Sequence, residues 1–220
     1  MSTSGIHCAD FAAEAGEQLF ATATRADVWL VLEYGEPWAA DAFEGSRLPQ
    51  PVKNRLTAAL QTIPRARLQF IRQPRREQVG LAFYLAVSRE PNVRLYRFTL
   101  NAYADLMRLD LPAAAAGDAR YDDYKTDEPL ILVCAHGTRD ACCARLGVPV
   151  YNALAAQSGW DVWLDSHVGG HRFAPNVICL PHGLTYGRVT PAEAVEVVER
   201  YRGGHISLKH WRGRSNRDAA

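Results

Sequence analysis

The sequence predicts an α/β protein made of two related halves, each built around a mixed β-sheet. Apolar runs of strand length and runs with helical spacing follow the order β-α-β-β-β-α in the first half, and a related order recurs in the second. A strand–helix–strand unit produces a parallel pair, and a hairpin adds antiparallel strands. Between the halves, an Ala-rich stretch followed by Gly, Tyr and Asp residues indicates a connecting segment.

The first half, residues 1–112, contains one well-marked helix among its predicted strands. The helix covers residues 51–63, where apolar side chains recur at helical spacing between Pro51 in the first turn and Pro64 after the end. The strands are apolar or alternating runs at residues 27–33, 66–71, 79–87 and 93–100, with a short helix at 101–108. We find no evident functional site in this half, and we expect residues 113–128 to be a linker.

The second half, residues 129–220, ends in the clearest helix of the chain. Thr190 and Glu193 form a capping box around Pro191 at the first helical position. The other elements are strands at residues 129–133, 160–165, 176–180 and 185–189 and a helix at 149–158. This order is that of a thioredoxin-like sheet, so we predict a thioredoxin-like α/β fold. The basic tail, residues 209–217, is expected to be mobile.

Composition and charge narrow the class of protein. The 220 residues are 48% apolar and 22% charged with a formal net charge of +1, which is ordinary for a globular chain. The charge balance argues against a nucleic-acid partner, and the apolar runs are shorter than the roughly 18 residues of a transmembrane helix. Residues 1–16 lack a basic start followed by an apolar stretch, so we predict no signal peptide and a cytoplasmic location.

The cysteines are unevenly distributed along the chain. There are five, and Cys134, Cys142 and Cys143 lie within ten residues. A secreted disulfide scaffold would be shorter and richer in cysteine. In a reducing compartment, a local cysteine cluster indicates metal or redox chemistry. Cys8 and Cys179 are predicted to be structural residues.

Two segments carry the residues best suited to chemistry. Cys134 and Cys143 form a C-x8-C pair, and His167 and His171 form an H-x3-H pair. Each pair begins just past the C-terminal end of a predicted strand. Open α/β sheets bind ligands outside the carboxyl ends of parallel strands. The predicted fold therefore brings both pairs to the same edge of the sheet.

These side chains narrow the choice of bound metal. Thiolate and neutral imidazole together suit zinc or an iron–sulfur cluster, and in Rieske-type 2Fe-2S centres two His replace two Cys on one iron. The C-x8-C spacing is longer than a zinc knuckle, whereas the H-x3-H spacing also fits zinc. Gly169 and Gly170 permit a turn with positive φ and a close approach of the backbone to an inorganic sulfide. On these residues alone, zinc and an iron–sulfur cluster are both possible.

Three longer motifs carry a family resemblance: VCAHGTRDACC at residues 133–143, DSHVGGHRFAPN at 165–176 and LPHGLTYGR at 180–188. Together with weaker matches at Cys8 and residues 21–38, they resemble the sucrase/ferredoxin-like family. The resemblance implies that the second half is a thioredoxin-like ferredoxin with a 2Fe-2S cluster. Carried onto the matching positions, it implies that both imidazoles share one iron and that the ligands are Cys134, Cys143, His167 and His171.

Other residues near these motifs are candidates for contacts around the ligands. They are His136, Arg139, Cys142, Gly169, Gly170, Arg172 and His182. The two histidines either hydrogen-bond cluster sulfurs or are ordinary loop residues, and the two arginines either place charge near the centre or pair with acids. Cys142 is expected to be a neighbour of the ligand Cys143, and a register that pairs it with Cys134 stays open.

We predict a one-electron carrier rather than a catalyst, working with a redox partner protein. Because imidazole is neutral where thiolate is anionic, the potential should lie in the Rieske range of about −150 to +300 mV. If a ligating His loses its second ring proton in the oxidised state, the potential falls by up to about 59 mV per pH unit. A potential that does not change with pH would contradict this coupling.

Two other functions are compatible with the same residues. A thioredoxin-fold thiol redox enzyme would use Cys134 with Cys142 or Cys143, although the chain has no C-x-x-C and this function leaves the two histidines without a role. A zinc-stabilised interaction module would use the two Cys and two His as structural ligands. Turnover of a disulfide or peroxide by a colourless protein favours the first, and bound zinc without sulfide favours the second.

Overall fold

A single mixed β-sheet of nine strands runs through the residues that this computed structural model describes, 7–74 and 79–217. The strands are β1 (Val28–Glu33), β2 (Ala66–Arg72), β3 (Leu81–Val87), β4 (Arg94–Leu100), β5 (Leu130–Cys134), β6 (Asp161–Asp165), β7 (Val177–Leu180), β8 (Leu184–Tyr186) and β9 (Trp211–Arg214). They lie in the order β4-β3-β1-β2-β6-β5-β7-β8-β9. The sequence predicts all of them except β9, which falls in the expected mobile tail.

The sheet repeats one thioredoxin-like arrangement twice. In the first half β1 pairs in parallel with β2 and antiparallel with β3, which pairs antiparallel with β4. In the second half β5 pairs in parallel with β6 and antiparallel with β7, which pairs antiparallel with β8. The predicted fold class of two related α/β halves with mixed sheets is confirmed. Antiparallel pairing of β2 with β6 joins the halves into one sheet, so the division at residues 112 and 129 stays a prediction.

The segment expected to be a linker, residues 113–128, is largely helical. The helices are α1 (Cys8–Glu14), α2 (Gln50–Thr62), α3 (Leu111–Ala116), α4 (Ala141–Ala155) and α5 (Pro191–Arg202), and a 3-10 helix follows α3 at Ala119–Tyr124. Asp110 caps α3 by accepting from the Ala113 N–H, and its own N–H donates to the buried Tyr121 hydroxyl at 2.8 Å. The Ala-rich stretch buries Ala114 and Ala115 against the sheet, and the role of residues 113–128 as a linker between the halves stays a prediction.

Helix α4 begins eight residues earlier than the sequence predicts, at residue 141 instead of 149. The prediction took Pro149 as a first-turn proline, but Pro149 lies inside the helix. The true cap is Asp140, whose carboxylate accepts from the Cys142 N–H at 2.9 Å. As a result, Cys142 and Cys143 lie in the first helical turn rather than in a loop.

The C-terminal tail is an ordered edge of the sheet rather than a mobile segment. Strand β9 pairs antiparallel with β8 and carries Arg212, which is 1% exposed. The Arg212 guanidinium donates to Asn176 Oδ1 at 2.8 Å, to Thr22 Oγ1 at 3.0 Å and to the Thr22 carbonyl. These hydrogen bonds compensate for the loss of water around a buried cation.

The start of α5 is tied to this tail, and acid should weaken the tie. Hydrogen bonds from Lys209 and Thr190 lower the pKa of Glu193 from 4.5 to about 2. Because the folded-state pKa lies below the unfolded one, this stabilisation is complete above about pH 4.5 and is lost as the pH falls toward 2. We expect Glu193→Gln to lower the free energy of unfolding by ~1 kcal/mol or less at neutral pH, with a difference that shrinks in acid. Denaturant melts of both proteins across this pH range measure it, and a constant difference would contradict it.

Two apolar clusters cover the faces of the sheet. Helices α2, α3, α4 and α5 bury their apolar sides on one face, with Leu56, Leu154 and Val198 fully enclosed. On the other face, Cys134 and Cys143 are buried beside Trp163. Among the described residues, none of the helices is both long and apolar enough to cross a membrane.

Candidate metal centre

The two predicted ligand segments meet at one edge of the sheet. Cys134 is the last residue of β5 and lies opposite Asp165, the last residue of the parallel strand β6. After β6 the chain folds back so that the Val168 N–H hydrogen-bonds to Cys134. Cys143, from α4, is buried in the same cluster as Cys134. The donor atoms of Cys134, Cys143 and His167 lie within 4.8 Å of one another. His167 Nδ1 is 3.6 Å from Cys143 Sγ.

His171, the fourth predicted ligand, lies at the outer side of this group. Its ring centroid is 5.7 Å from that of His167, with the rings inclined by 33°. Its Nε2 is 3.8 Å from an Asp140 carboxylate oxygen, and the side chain is 44% exposed. The structure therefore brings three of the predicted ligands into one cluster and places the fourth beside it, toward solvent.

The two buried thiols are hydrogen-bonded to each other, and this contact shifts their pKa values in opposite directions. A hydrogen bond from Cys143 lowers the pKa of Cys134, against the effect of burial, and His167 and the Val168 N–H add to the lowering. The same hydrogen bond to the Cys134 thiolate raises the pKa of Cys143, and burial raises it further. Because a thiolate is the form that binds metal, the lowered pKa of Cys134 suits this residue to metal ligation.

His136 holds the backbone of the His167 segment. Its ring is almost fully buried, Nδ1 accepts from the His167 N–H at 3.0 Å, and Nε2 lies 2.7 Å from the Ala39 carbonyl oxygen. Burial lowers the pKa of His136, which favours the neutral ring that these two contacts require. His136 therefore uses both nitrogens to position the backbone, which is neither a hydrogen bond to a cluster sulfur nor the role of an ordinary loop residue.

The first half of the chain contributes contacts to this centre, which the sequence gives no sign of. Thr24 Oγ1 and Arg67 both donate to the Val168 carbonyl, at 2.7 and 3.1 Å. Thr138, in the loop after Cys134, donates to the Trp38 carbonyl at 2.7 Å. Both ligand segments are thus anchored on the opposite half, so the expectation that residues 1–112 carry no evident site is too narrow.

A sequence profile places these segments in a known group of proteins. The profile of the sucrase/ferredoxin-like family matches residues 19–213, which include both halves and all four predicted ligands. The chain belongs to the sucrase/ferredoxin-like family. The resemblance inferred from the motifs is confirmed.

Curated relatives of this sucrase/ferredoxin-like chain are yeast proteins named "Altered inheritance of mitochondria protein 32". The protein of that name from Debaryomyces hansenii is 38% identical over 105 residues, covering 41% of this chain and 38% of the relative. The one from Meyerozyma guilliermondii is 32% identical over 107 residues, covering 44% of this chain and 38% of the relative. The match thus spans less than half of these relatives.

Solved structures similar to the chain include the thioredoxin-like [2Fe-2S] ferredoxin from Aquifex aeolicus. One structure, of the wild type, is 18% identical with a TM-score of 0.36 and covers 40% of this chain and 100% of the ferredoxin. A second is 17% identical with a TM-score of 0.37 and covers 43% of this chain and 99% of the ferredoxin.

The glycine pair of the sucrase/ferredoxin-like H-x-G-G-H motif serves the turn and its packing. Gly169 has φ +94° and Gly170 has φ +69°, as the predicted turn requires. A Cβ at Gly170 would lie 2.4 Å from the Arg212 guanidinium, and one at Gly169 would lie 2.9 Å from Thr24 Oγ1. The close approach is therefore to these side chains, where we expected an inorganic sulfide.

Gly170→Ala should release metal from the centre. The added Cβ meets the buried Arg212 side chain, so the turn that carries His167 and His171 must move. Gly159→Ala is the matched control, because Gly159 has φ +79° and open space around it. Both changes should destabilise the chain by about 1–2 kcal/mol for a left-handed alanine. We expect only Gly170→Ala to lower the metal bound per chain in elemental analysis, and equal metal content in both variants would contradict this.

The two candidate arginines differ: the charge of Arg139 helps to lower the pKa of His136, whereas Arg172 pairs with an acid. Arg172 donates to Glu17 at 2.6 Å and lies over the Phe173 ring, 4.4 Å from its centroid. Arg139 is exposed, and its backbone N–H donates to the His136 carbonyl at 3.2 Å. Arg172 thus follows the alternative in which the arginine pairs with an acid.

His182 is far from the centre, so it follows the alternative in which it is an ordinary loop residue. The Cys134 N–H donates to the Asn176 carbonyl at one end of β7, whereas His182 follows the other end. Strand β7 between them is roughly 13 Å long. His182 Nδ1 lies 2.9 Å from the Tyr201 hydroxyl.

Cys142 contacts a residue that the sequence does not connect with it. Its Sγ is 3.3 Å from Cys8 Sγ, and both lie close to the Asp140 carboxylate. Burial, the contact with Cys142 and the Asp140 charge raise the pKa of Cys8 to about 12. The pairing of Cys142 with Cys8 leaves Cys143 as the neighbour of Cys134, which agrees with the C-x8-C ligand register. Cys8 therefore contacts a second thiol, in addition to the structural role expected from the sequence. Cys179 is buried in the core, as a structural residue would be.

Proposed function

We propose that this chain binds a 2Fe-2S cluster through Cys134, Cys143, His167 and His171 and carries single electrons. The convergence of the Cys134, Cys143 and His167 donor atoms within 4.8 Å carries the proposal. The second imidazole follows on the same turn, with its ring 5.7 Å from the first. Membership of the sucrase/ferredoxin-like family supports the same ligand set, because the C-x8-C and H-x-G-G-H motifs are those on which the resemblance rests.

The side chains present fit such a cluster. Cys134 and Cys143 are buried, and the pKa of Cys134 is lowered by hydrogen bonds from Cys143 and the Val168 N–H. Cys143 lies in the first turn of α4 and keeps its proton on the hydrogen bond to Cys134, so binding a metal would release that proton. His136 anchors the His167 backbone, so the ring of His167 stays directed at Cys143.

The ligand residues of this chain would determine the reduction potential of the cluster. A 2Fe-2S cluster supplies one-electron chemistry between diferric and mixed-valence states when it is bound. Two neutral imidazoles beside two thiolates give less negative charge than four thiolates, so we propose a potential in the range of about −150 to +300 mV. The exposed side chain of His171 lies nearest to solvent, so the partner is proposed to approach from that side.

Iron and acid-labile sulfide content after anaerobic purification tests the proposal. We expect a red-brown protein with iron and sulfide in equal amounts, visible absorption bands, and bleaching on one-electron reduction. One zinc per chain without sulfide would overturn it in favour of a zinc-stabilised interaction module. A colourless protein that turns over insulin disulfides or peroxide would overturn it in favour of a thiol enzyme using Cys134 with Cys143.

The partner and the compartment are also proposals. We propose a redox protein as the partner and no nucleic acid, because the formal net charge of +1 provides no general attraction to polyanions. A cytoplasmic location stays a proposal, whereas the yeast relatives carry names that refer to mitochondria. Fractionation of cells that express the tagged full-length protein separates the two compartments.

A further inference from the structure

Two thiols outside the proposed ligand set are in direct contact. Cys8 is the first residue of α1, and Cys142 lies in the first turn of α4. Their Sγ atoms are 3.3 Å apart, although 134 positions separate them in the sequence. Both are free thiols. The fold thus brings a cysteine from the start of the described chain into contact with one from its second half.

Specific contacts hold α1 in this position. Arg145 of α4 donates to both Asp10 carboxylate oxygens, at 2.6 and 2.7 Å. Arg188 donates to the Ala12 carbonyl at 2.9 Å. Ala9 and Ala174 pack around Cys142 in a small buried apolar cluster. The thiol contact is therefore part of a packed interface between α1 and the second half.

The two thiols differ in their access to solvent. Cys142 is 2% exposed, whereas Cys8 is only partly buried. In such an arrangement the accessible thiol attacks an external disulfide and forms a mixed disulfide. The buried thiol then attacks that mixed disulfide and resolves it. We propose that Cys8 and Cys142 form a redox-active dithiol pair that exchanges with a low-molecular-weight disulfide such as oxidised glutathione.

The exchange is balanced in atoms and electrons. The Cys8 thiolate attacks one sulfur of the glutathione disulfide, which breaks its S–S bond and releases one glutathione thiolate. The Cys142 thiolate then attacks Cys8 Sγ, which forms the protein disulfide and releases the second glutathione. Two protein thiols lose two electrons, one glutathione disulfide gains them, and the two thiol protons pass to the released thiolates. The two sulfurs need to approach from 3.3 Å to a bond length of about 2.05 Å.

The distances favour a thiol pair over a metal site at this point. Cys8 Sγ lies 3.8 and 4.0 Å from the Asp140 carboxylate oxygens, farther than its 3.3 Å distance to Cys142 Sγ. Zinc would bring carboxylate oxygen and thiolate sulfur into one shell at about 2.0–2.3 Å from the ion. The closest contact is instead between the two sulfurs. The proposal uses none of the cluster ligands, so it stands or fails separately from the proposed function.

Peptide mapping of the full chain tests the pair directly. The protein is equilibrated with mixtures of oxidised and reduced glutathione until its state no longer changes, because the raised pKa of Cys8 makes exchange slow. Free thiols are then alkylated and the chain is cut with trypsin. We expect residues 1–25, which contain only Cys8, to appear linked to residues 140–145, which contain Cys142 and Cys143. Treatment with excess dithiol should remove the link.

Three serine variants identify the bonded sulfurs. Cys8→Ser and Cys142→Ser should each abolish the linked peptides, and Cys179→Ser, a buried cysteine in β7, should keep them. The proposal is overturned if wild-type Cys8 and Cys142 are alkylated separately, or if each carries glutathione without a cross-link. It is also overturned if the link persists in Cys142→Ser, or if one bound zinc is lost in both Cys8→Ser and Cys142→Ser.

Discussion

Cys134→Ser is expected to yield a colourless protein with almost no bound iron or sulfide. Cys134 ends β5 within the donor group, and the hydrogen bond from Cys143 lowers its pKa, which favours the thiolate form. A serine hydroxyl in that position keeps its proton at neutral pH and is a poor ligand for iron. The substitution is nearly isosteric, so the fully buried site should keep its packing. Visible absorption, iron content and sulfide content are the measurements.

Cys179→Ser is the matched control for this experiment. Cys179 is also fully buried and lies on the neighbouring strand β7, opposite Ile131 of β5. Cys179→Ser buries a hydroxyl at about the same cost in stability as Cys134→Ser, but it removes none of the proposed ligands. We expect its colour and metal content to match the wild type. If Cys134→Ser retained a full complement of iron and sulfide, Cys134 would not be a ligand.

His167→Cys is expected to retain a cluster and to lower its reduction potential. His167 Nδ1 lies 3.6 Å from Cys143 Sγ, so a thiolate near this position can replace the imidazole. One neutral ligand becomes anionic, which disfavours the added electron. Two-His centres lie at about −150 to +300 mV and plant-type four-Cys centres near about −400 mV, so we expect a fall on the order of 100 mV or more. Protein-film voltammetry or a redox titration followed by absorption measures it.

His182→Cys provides the same chemical change away from the centre. His182 lies beyond the far end of β7 and contacts the Tyr201 hydroxyl. We expect this variant to keep the wild-type potential. An equal shift in the potential of both variants would mean that the shift does not depend on the position of the new cysteine. An unchanged potential in His167→Cys would contradict ligation by His167.

Elements with a clear local pattern are predictable from the sequence, and elements that depend on distant partners are not. The alternating or apolar strands and the start of α5 at Pro191 follow from short-range periodicity and helix-start signals. The predicted capping box does not form, because the Thr190 hydroxyl donates to the Glu193 carboxylate and makes no hydrogen bond with a backbone N–H. Strand β9 is missed because its polar sequence is buried only where Asn176 and Thr22 accept hydrogen bonds from Arg212. The start of α4 is misplaced because Pro149 has the local preference of a first-turn residue.

The candidate centre divides in the same way. The residue types and spacings of Cys134, Cys143, His167 and His171 are properties of the sequence, and so is the family that they indicate. The membership of Cys8 in a thiol pair and the positioning role of His136 depend on contacts across 134 and 31 positions. No spacing rule reaches so far along a chain, because only the packing of the folded chain brings such residues together.

The sequence by itself determined the fold class and the family and indicated the candidate donor residues, because periodicity, capping and residue spacing are local properties of the chain. The tertiary structure decided that both halves share one sheet and that the first half anchors the ligand turn through Thr24 and Arg67. It also decided that the cysteines fall into two groups, Cys134 with Cys143 and Cys8 with Cys142. The physical reason is that Asp140 caps α4 and so turns its two adjacent thiols to different neighbours, one toward the sheet and one toward α1.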